Sequence, residues 1–364
     1  MRLLLLSNPN SAHTIKWAKS LANSGVDIII FGLGNFVVDD YADYNNIEVL
    51  TLDESVSRRE GSLSKLKYLK ALPAIKKIIK KFKIDILHAH YASSYGLLGS
   101  LSGFSPFVLS VWGGDVFSFP KKSFLHKFML MYNLKKADKI LSTSHVMAKE
   151  TNLYTDKNIE VTPFGIDTEQ FKPMEVQSLF AKDDIVIGTI KTLEKIYGIE
   201  YLIKAFKILS DKHKELPLKL LIVGGGSLHV KLKELAKSLN LEDKTIFTGE
   251  VPFNDTPNYH NMISVSVTVS NSESFGVSVL EAAACSKPVV VSNVGGLPEV
   301  VEDSISGFVV PSKNPKATAL AIEKIILDPH LKNRLGQLGR KRVKRLYNLR
   351  DNINHMLSIY KSLI

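Results

Sequence analysis

The sequence predicts an α/β protein with two doubly wound, Rossmann-like domains. Its 364 residues exceed what one hydrophobic core usually serves. Short apolar runs alternate with helical segments, as in parallel sheets with crossover helices. A passage rich in proline and glycine at 162–173 interrupts this alternation, which then restarts. The predicted parts are an N-terminal domain at 1–165, a linker at 166–175, a C-terminal domain at 176–350 and a terminal helix at 351–364.

The N-terminal half contains five runs typical of buried parallel strands. A polar turn after the first run leads into a helix through Trp17 and Leu21, which ends at Asn23-Ser24-Gly25. The predicted strands are Leu3–Leu6, Val26–Phe31, Ile84–His88, Pro106–Val111 and Lys139–Thr143.

The C-terminal half repeats the pattern with four further runs. A helix after the first of them carries Ile199, Leu202, Ile203 and Phe206 on one face. The predicted strands are Ile185–Ile190, Leu218–Val223, Ile263–Val269 and Val289–Val291.

One βαβ step, Ser270–Val294 with the strand before it, carries the chemistry of the chain. Its turn opens at the carboxyl edge of the sheet, where ligands bind in such folds. Glu273 lies in the turn and Glu281 on the short helix that follows. Backbone N–H groups near Phe275–Ser278 form an anion site, and carboxylates accept hydrogen bonds from hydroxyl groups. This combination suits a nucleotide sugar, although acidic residues near helix N-termini are also common without any function.

The spacing Glu273-x7-Glu281, set in Glu-Ser-Phe-Gly and Leu-Glu-Ala, resembles the signature of retaining GT-B glycosyltransferases of family 4. The resemblance implies two domains with a cleft between them, the donor on the C-terminal domain and the acceptor on the N-terminal one. It assigns Glu273 to the donor hexose and to catalysis and Glu281 to the ribose. The amides of Phe275, Gly276 and Val277 are then further donor contacts, and the terminal helix returns to the N-terminal domain.

The resemblance also locates the groups that would hold the diphosphate. Lys195 matches a family lysine and is a candidate catalytic residue, whereas Thr189 stands where the family has arginine. Lys191 could supply the missing charge, but without the bidentate geometry of arginine. Gly225, in a glycine-rich turn after a strand, either borders the nucleotide or only forms a tight turn. Residues 306–311 also match a segment of the family, and this match predicts a hairpin-like strand there.

Acceptor-side candidates come from the N-terminal half. Asp115 follows Ser110–Val111 in a Trp-Gly-Gly-Asp turn and matches an acidic residue of the family, so it either orients the acceptor or only stabilises the turn. His88 and His90 end the third predicted strand, and the atypical loop 7–13 ends at His13. The acceptor-side candidates are His13, His88, His90, Trp112 and Gly114.

Charge and composition limit the classes of partner that the protein can have. The net charge is +11, and Arg58–Lys83 alone holds ten basic residues against one glutamate, a net charge of +9. This segment is either a solvated surface or a contact for anionic lipid, and no pattern typical of nucleic-acid binding accompanies it. No apolar run reaches the roughly 20 residues that span a bilayer, and the apolar start is too short for a signal peptide. With the single Cys285, these features predict a cytoplasmic protein, free or peripheral on the inner face of the membrane.

The leading hypothesis is a retaining hexosyltransferase that uses a nucleotide sugar in polysaccharide or glycolipid biosynthesis. The resemblance favours a UDP-hexose, the commonest donor of the family. The acceptor would be a glycan or a lipid-linked molecule. We expect no cofactor and no divalent metal, because no convincing cluster of metal ligands is present. The alternatives are a GT-B nucleotide-sugar epimerase, a metal-dependent transferase using Asp39-Asp40, and a non-catalytic nucleotide-binding or scaffold protein.

Overall fold

The computed structural model describes residues 1–34, 36, 39–52 and 64–364. Contacts divide them into a first unit, Met1–Phe164 with Arg350–Ile364, and a second unit, Gly165–Leu349. Each unit contains one sheet of parallel strands with crossover helices between them. The predicted α/β class with two doubly wound domains is therefore confirmed.

The first unit has a seven-stranded sheet in the order β3-β2-β1-β4-β5-β6-β7. The inner strands β1, β4 and β5 are almost entirely buried, which is why they read as continuous apolar runs. In chain order its elements are β1 Arg2–Leu6, α1 Ala12–Asn23, β2 Asp27–Gly32, β3 Ile47–Thr51, α2 Leu72–Phe82, β4 Ile86–His90, α3 Ser94–Ser102, β5 Phe107–Val111, α4 Gly114–Phe117, α5 Phe124–Lys136, β6 Lys139–Ser142, α6 His145–Thr151 and β7 Ile159–Val161.

The second unit has a six-stranded sheet in the order β10-β9-β8-β11-β12-β13. Its first strand, β8, lies in the middle, between β9 and β11. In chain order its elements are β8 Ile185–Ile190, α7 Ile199–Lys212, β9 Leu218–Val223, α8 His229–Ser238, β10 Thr245–Gly249, α9 Thr256–Met262, β11 Val265–Thr268, α10 Val277–Ala284, β12 Val289–Ser292, α11 Leu297–Val300, β13 Phe308–Val310, α12 Pro315–Leu327 and α13 Pro329–Leu346.

The last helix, α14 (Leu349–Lys361), packs against the first unit by an apolar stripe. Ile353, Met356 and Ile359 on this stripe are buried. The hydroxyl of Tyr360 lies 2.6 Å from His88 Nδ1 on β4, which fixes the end of the helix to the middle of the sheet.

The predicted hairpin-like strand at 306–311 is wrong in its pairing. Phe308–Val310 pairs with β12 in a parallel ladder and forms the edge of the second sheet. The chain reaches this position through α11, a crossover rather than a tight turn, so the strand must run in the same direction as its neighbour.

The basic segment lies partly outside the described residues, which exclude Arg58, Arg59 and Glu60. From Ser64 to Ala71 the chain forms 3₁₀ turns, and α2 follows with Pro73 in its first turn, where proline is tolerated. Among the described residues, no helix is both long and apolar enough to cross a bilayer.

Candidate functional site

The second sheet changes direction between β8 and β11. After β8 the chain continues outward through β9 and β10, whereas β11 begins the path to β12 and β13 on the other side. The loops that leave β8 and β11 therefore diverge at the carboxyl edge and open a crevice, the usual ligand site of such sheets. Lys191 directly follows β8, and Glu273 lies on the loop after β11.

These two residues meet at this edge. Lys191 Nζ lies 2.5 Å from Glu273 Oε2, and both side chains are largely buried. The Ser270 hydroxyl is 3.5 Å from the same carboxylate oxygen, and the ring centroid of Tyr197 is 4.4 Å from Lys191 Nζ. The site thus contains an ammonium group held between a carboxylate and an aromatic face.

The structure brings Lys191, and not Lys195, to Glu273. Lys195 begins an exposed 3₁₀ turn, and its carbonyl accepts a 2.7 Å hydrogen bond from Asn271 Nδ2. Thr189, which the resemblance aligns with an arginine, is buried within β8, and its Oγ1 has no hydrogen-bond partner among the described residues. The positive charge at this point of the site therefore comes from lysine and not from arginine.

The glycine-rich turn after β9 supports the loop that carries Lys191. A Cβ on Gly224 would lie 2.1 Å from the Lys191 carbonyl oxygen, so only glycine allows the two loops to touch. The Leu193 N–H donates to the Gly225 carbonyl at 2.8 Å. Glu194 accepts from both the amide (2.8 Å) and the hydroxyl (2.6 Å) of Ser227, and these bonds lower the Glu194 pKa. Gly225 thus has a clear structural role in positioning Lys191.

A second glycine pair supports Glu273. Gly295 has φ +51°, and a Cβ there would lie 1.6 Å from the Glu273 carbonyl oxygen. The Gly296 N–H donates to that same oxygen at 3.1 Å. The turn between β12 and α11 therefore lies directly against the backbone of Glu273 and fixes its position.

The N-terminus of α10 lies just beyond Glu273. Gly276 enters the helix with φ +107°, Phe275 before it is buried, and Val277 is the first helical residue. The first amides of a helix have no acceptor within the helix, so an N-terminus at the sheet edge is a place where an anion can bind. The Ser278 hydroxyl in the same turn is buried without a hydrogen-bond partner among the described residues.

Glu281 lies one turn further along α10 and is buried, with 6% of its surface exposed. His260 Nε2 on α9 is 3.6 Å from Glu281 Oε2, and neither ring nitrogen of His260 makes a hydrogen bond within the described residues. The sequence alone does not indicate His260, because it lies 21 residues before Glu281 with no motif to connect them. It is a buried polar group beside a carboxylate that we expect to bind hydroxyls.

In the first unit three acceptor-side candidates, His13, His90 and Trp112, form a cluster of rings with Phe164. The His90 and Trp112 ring centroids are 4.3 Å apart, and His13 stacks on Phe164 at 4.2 Å. His13 also meets Trp112 edge to face at 5.9 Å. These rings come from β4, the loop after β5, the first turn of α1 and the segment after β7, so the sheet assembles residues that are far apart in sequence.

His88 and His90 are buried in β4. His88 is bonded through both ring nitrogens, to the Tyr360 hydroxyl at 2.6 Å and to the Ser110 hydroxyl at 2.8 Å, which leaves no ring nitrogen for an acceptor. Burial lowers the His88 pKa to about 3. Burial also lowers the pKa of His90, whose Nδ1 lies 3.1 Å from the Ser7 hydroxyl. Both imidazoles are therefore neutral at pH 7.

Asp115, on the short helix α4, accepts hydrogen bonds from three backbone amides. These are the N–H groups of Ala92 at 2.7 Å, Gly113 at 2.8 Å and Trp112 at 3.1 Å. Burial raises the Asp115 pKa, and the three amides oppose this shift. The carboxylate joins the ends of β4 and β5 and so holds Trp112 in the ring cluster. Gly114, the first residue of α4, lies beside it.

Metal-ligating side chains are scattered through the part of the chain that the structure describes. Its residues contain no group of three or more His, Cys, Asp or Glu side chains arranged to hold an ion. Asp39 and Asp40 lie in an exposed 3₁₀ turn.

Two families of known proteins match the chain. Residues 170–342 match the family "Glycosyl transferases group 1", and residues 2–144 match "Glycosyl transferase 4-like". An uncharacterized glycosyltransferase of Methanocaldococcus jannaschii is 27% identical over 73% of this chain and 72% of its own length. N-acetyl-alpha-D-glucosaminyl L-malate synthase of Bacillus anthracis is 23% identical over 78% of this chain and 76% of its own.

Solved structures share the fold of the whole chain. Sucrose-phosphate synthase of Thermosynechococcus elongatus has a TM-score of 0.85 at 23% identity and covers 100% of this chain and 99% of its own. HepE of Anabaena, solved in complex with UDP-glucose, has a TM-score of 0.80 at 17% identity, with full coverage of both chains. These likenesses support the GT-B fold.

Proposed function

We propose, from the glycosyltransferase group 1 family that the matches support, that this chain transfers a hexose from a nucleotide diphosphate sugar to a glycan or lipid-linked acceptor. The observation that carries the proposal is the arrangement at the switch point of the second sheet. There Lys191 meets Glu273 at 2.5 Å, beside the N-terminus of α10 with Glu281 one turn along. A cation, a helix N-terminus and two carboxylates match a diphosphate flanked by hydroxyl groups.

Each part of the donor has a partner in this proposal. Glu281 accepts hydrogen bonds from the ribose hydroxyls, and Glu273 accepts from the hexose. The amides of Phe275, Gly276 and Val277 face the diphosphate, with Lys191 and Lys195 as its cations. UDP is the proposed nucleotide of the donor, a choice supported by the fold shared with HepE, which was solved with UDP-glucose.

The proposed reaction retains the anomeric configuration. The bond between the sugar C1 and the diphosphate oxygen breaks while the acceptor oxygen bonds to C1 from the same face. The acceptor proton passes to the departing diphosphate oxygen, so no protein nucleophile is needed. The lysines and the helix amides stabilise the negative charge that develops on the diphosphate, and the reaction requires no divalent ion.

The ring cluster of the first unit is the proposed acceptor surface. His13 and Trp112 offer flat ring faces suited to sugar rings, and the buried His90 packs against Trp112. Asp115 acts as a positioning residue here, because its carboxylate is occupied by the amides that fix Trp112. A membrane location for a lipid-linked acceptor is also proposed, since α2 and the residue that caps it expose Lys76, Lys77, Lys80, Lys81 and Lys83 to solvent.

A thermal-shift panel of UDP-, GDP-, ADP- and CMP-sugars on the full chain tests the donor assignment. A ligand that binds only the folded protein raises its melting temperature, so a UDP-hexose should give the largest shift. The variant Glu281→Ala should lose that shift, whereas the control Glu242→Ala, in an exposed turn of the same unit, should keep it. No shift with any nucleotide sugar would contradict the proposal.

A turnover assay separates the transferase from the alternatives. Consumption of the donor should require an added acceptor, such as a lipid-linked glycan. Conversion of the donor without any acceptor would instead indicate an epimerase. Donor binding with no turnover on any acceptor tested would favour a non-catalytic nucleotide-binding protein.

A further inference from the structure

Helix α5 exposes large apolar side chains on its outer face. Phe124 is 79% exposed, Leu125 75%, Phe128 61% and Met131 42%. The last three lie one, four and seven residues after Phe124, which places all four side chains in one stripe along the helix. The opposite side of α5 is also apolar and is buried in the core of the first unit through Leu130 and Leu134. A surface helix normally carries polar residues where this stripe lies.

Exposed apolar residues are ordinary when they occur singly. Leu153, for example, is 67% exposed in the first unit, just beyond the end of α6, whose own residues include no large exposed apolar side chain. Four such side chains within the first eight residues of one helix form a contiguous patch, and contiguous patches mark interaction sites. The stripe therefore requires an apolar partner.

The charge around the stripe identifies that partner. Between Phe119 and Lys136 the chain has five lysines and no acidic residue. One of them, Lys121, contacts Glu150 at 2.8 Å, while Lys122 and Lys127 are exposed close to the stripe. A partner must thus be apolar inside and anionic at its surface, which describes a bilayer with anionic lipids. A second copy of this chain fits less well, because pairing two stripes would bring two sets of lysines together.

The helices that pack beside α5 also favour a membrane as the partner. Helix α3 packs against both α2 and α5, and buried residues of all three helices, Ile75, Leu98 and Leu130, belong to the same core. The exposed lysines of α2 therefore belong to the same helical layer as the apolar stripe. In this layer α2 supplies long-range attraction, and α5 supplies the apolar contact.

We propose that α5 is the element that inserts into the membrane. Phe124, Leu125, Phe128 and Met131 enter the boundary between head groups and acyl chains, and the lysines beside them contact lipid phosphates. The basic surface of α2 alone would give binding that salt abolishes, whereas the apolar stripe gives binding that partly survives salt. The proposal is independent of which sugar nucleotide the second unit binds.

Co-sedimentation of the full chain with vesicles tests this inference. The vesicles contain phosphatidylglycerol and phosphatidylcholine, or phosphatidylcholine alone, and no sugar nucleotide is added. Leu125→Gln with Phe128→Gln should reduce partitioning onto the anionic vesicles on the order of tenfold or more. The matched control is Leu320→Gln with Leu327→Gln, two exposed leucines on α12, which should partition like the unchanged protein.

A fluorescence measurement reports insertion directly. Phe128→Trp should show a blue-shifted emission on anionic vesicles and quenching by brominated lipids, and Leu320→Trp should show neither. Equal partitioning of the α5 variant and the unchanged protein would overturn the proposal, as would a Phe128→Trp variant whose new indole the brominated lipids leave unquenched. Sedimentation equilibrium supplies the third outcome: a dimer that the α5 variant loses, together with no vesicle binding, would assign the stripe to a second copy.

Discussion

Lys191 Nζ and Glu273 Oε2 lie 2.5 Å apart across the switch point of the second sheet, and each neutralises the other's charge. A buried ion pair gains little net stability, because desolvation offsets the Coulomb attraction. It does, however, hold both groups in one place. A diphosphate that enters beside Lys191 would find the ammonium already positioned, and the carboxylate would then be available to sugar hydroxyls.

Lys191→Ala should weaken UDP binding by about 1.5–3 kcal/mol, the effect of one lost charged hydrogen bond. Calorimetry measures the affinity directly. The control is Lys204→Ala, an exposed lysine that also lies near a tyrosine ring, at 5.9 Å from Tyr201, but on the helix α7. The same loss in both variants, or in neither, would contradict a specific role for Lys191.

Glu281→Ala should also weaken UDP binding by about 1.5–3 kcal/mol, because the ribose hydroxyls lose their acceptor. Glu281→Gln keeps one accepting oxygen and should lose less. Glu273→Ala should depress turnover more than it weakens UDP binding, since we assign it to the hexose. Unchanged UDP affinity in a folded Glu281→Ala protein would refute the ribose assignment.

The glycine turn behind Glu273 can be tested without a ligand. Gly295→Ala places a Cβ 1.6 Å from the Glu273 carbonyl oxygen, so the backbone must move. Gly249→Ala is the matched control, because Gly249 also has a positive φ but no atom within 4 Å of an added Cβ. The control should lose about 1–2 kcal/mol through backbone strain alone, and Gly295→Ala should lose more. Scanning calorimetry gives the comparison, and equal losses would show that the close contact is unimportant.

Stability of the first unit should fall in acid because of His88. Its folded pKa of about 3 lies below the ordinary 6.5, so between these values the unfolded chain binds a proton that the folded chain does not. Stability is therefore full above pH 6.5 and decreases as the pH falls towards 3, by up to about 1.4 kcal/mol per pH unit for this group.

Tryptophan fluorescence follows this transition, since both tryptophans, Trp17 and Trp112, belong to the first unit. Urea titrations at several pH values between about 7 and 4, within the window set by the two pKa values, give the free energy of unfolding at each pH. The slope of this free energy against pH should be smaller in His88→Gln than in the unchanged protein. The exposed His330→Gln should leave the slope unchanged. A slope that is identical in all three proteins would show that His88 does not carry the effect.

The sequence predicted the inner strands of both sheets and missed three outer ones. Strands β3, β7 and β10 are edges, and their residues are mostly only half-buried. An edge strand faces solvent and so need not be a continuous apolar run, which was the signal used for the inner strands. The fourth edge, β13, was found by resemblance but with the wrong pairing.

The sequence predicted where Glu273 and Glu281 lie in the fold, but not which side chains contact them. Spacing placed Glu273 and Glu281 on one βαβ step, and the structure has them there. Which lysine meets Glu273 depends on how two loops from different strands pack, and glycines at 224 and 295 decide this through contacts that no local pattern reveals. His260 could not be predicted for the same reason, because its proximity to Glu281 arises only when α9 packs beside α10.

The proposed departure of the diphosphate can be tested at Lys195. Lys195 is exposed, and among the described residues its ammonium has no ion-pair partner, so it is available to the departing diphosphate. Lys195→Ala should therefore lose turnover more severely than UDP affinity, because its charge acts most on the transition state. Thr189 cannot replace it, since its side chain is buried and uncharged.

Enzyme stripped with EDTA should keep its rate, and the anomeric proton signal of the product should show the configuration of the donor. An inverted product, or a rate that EDTA abolishes and manganese restores, would refute this mechanism.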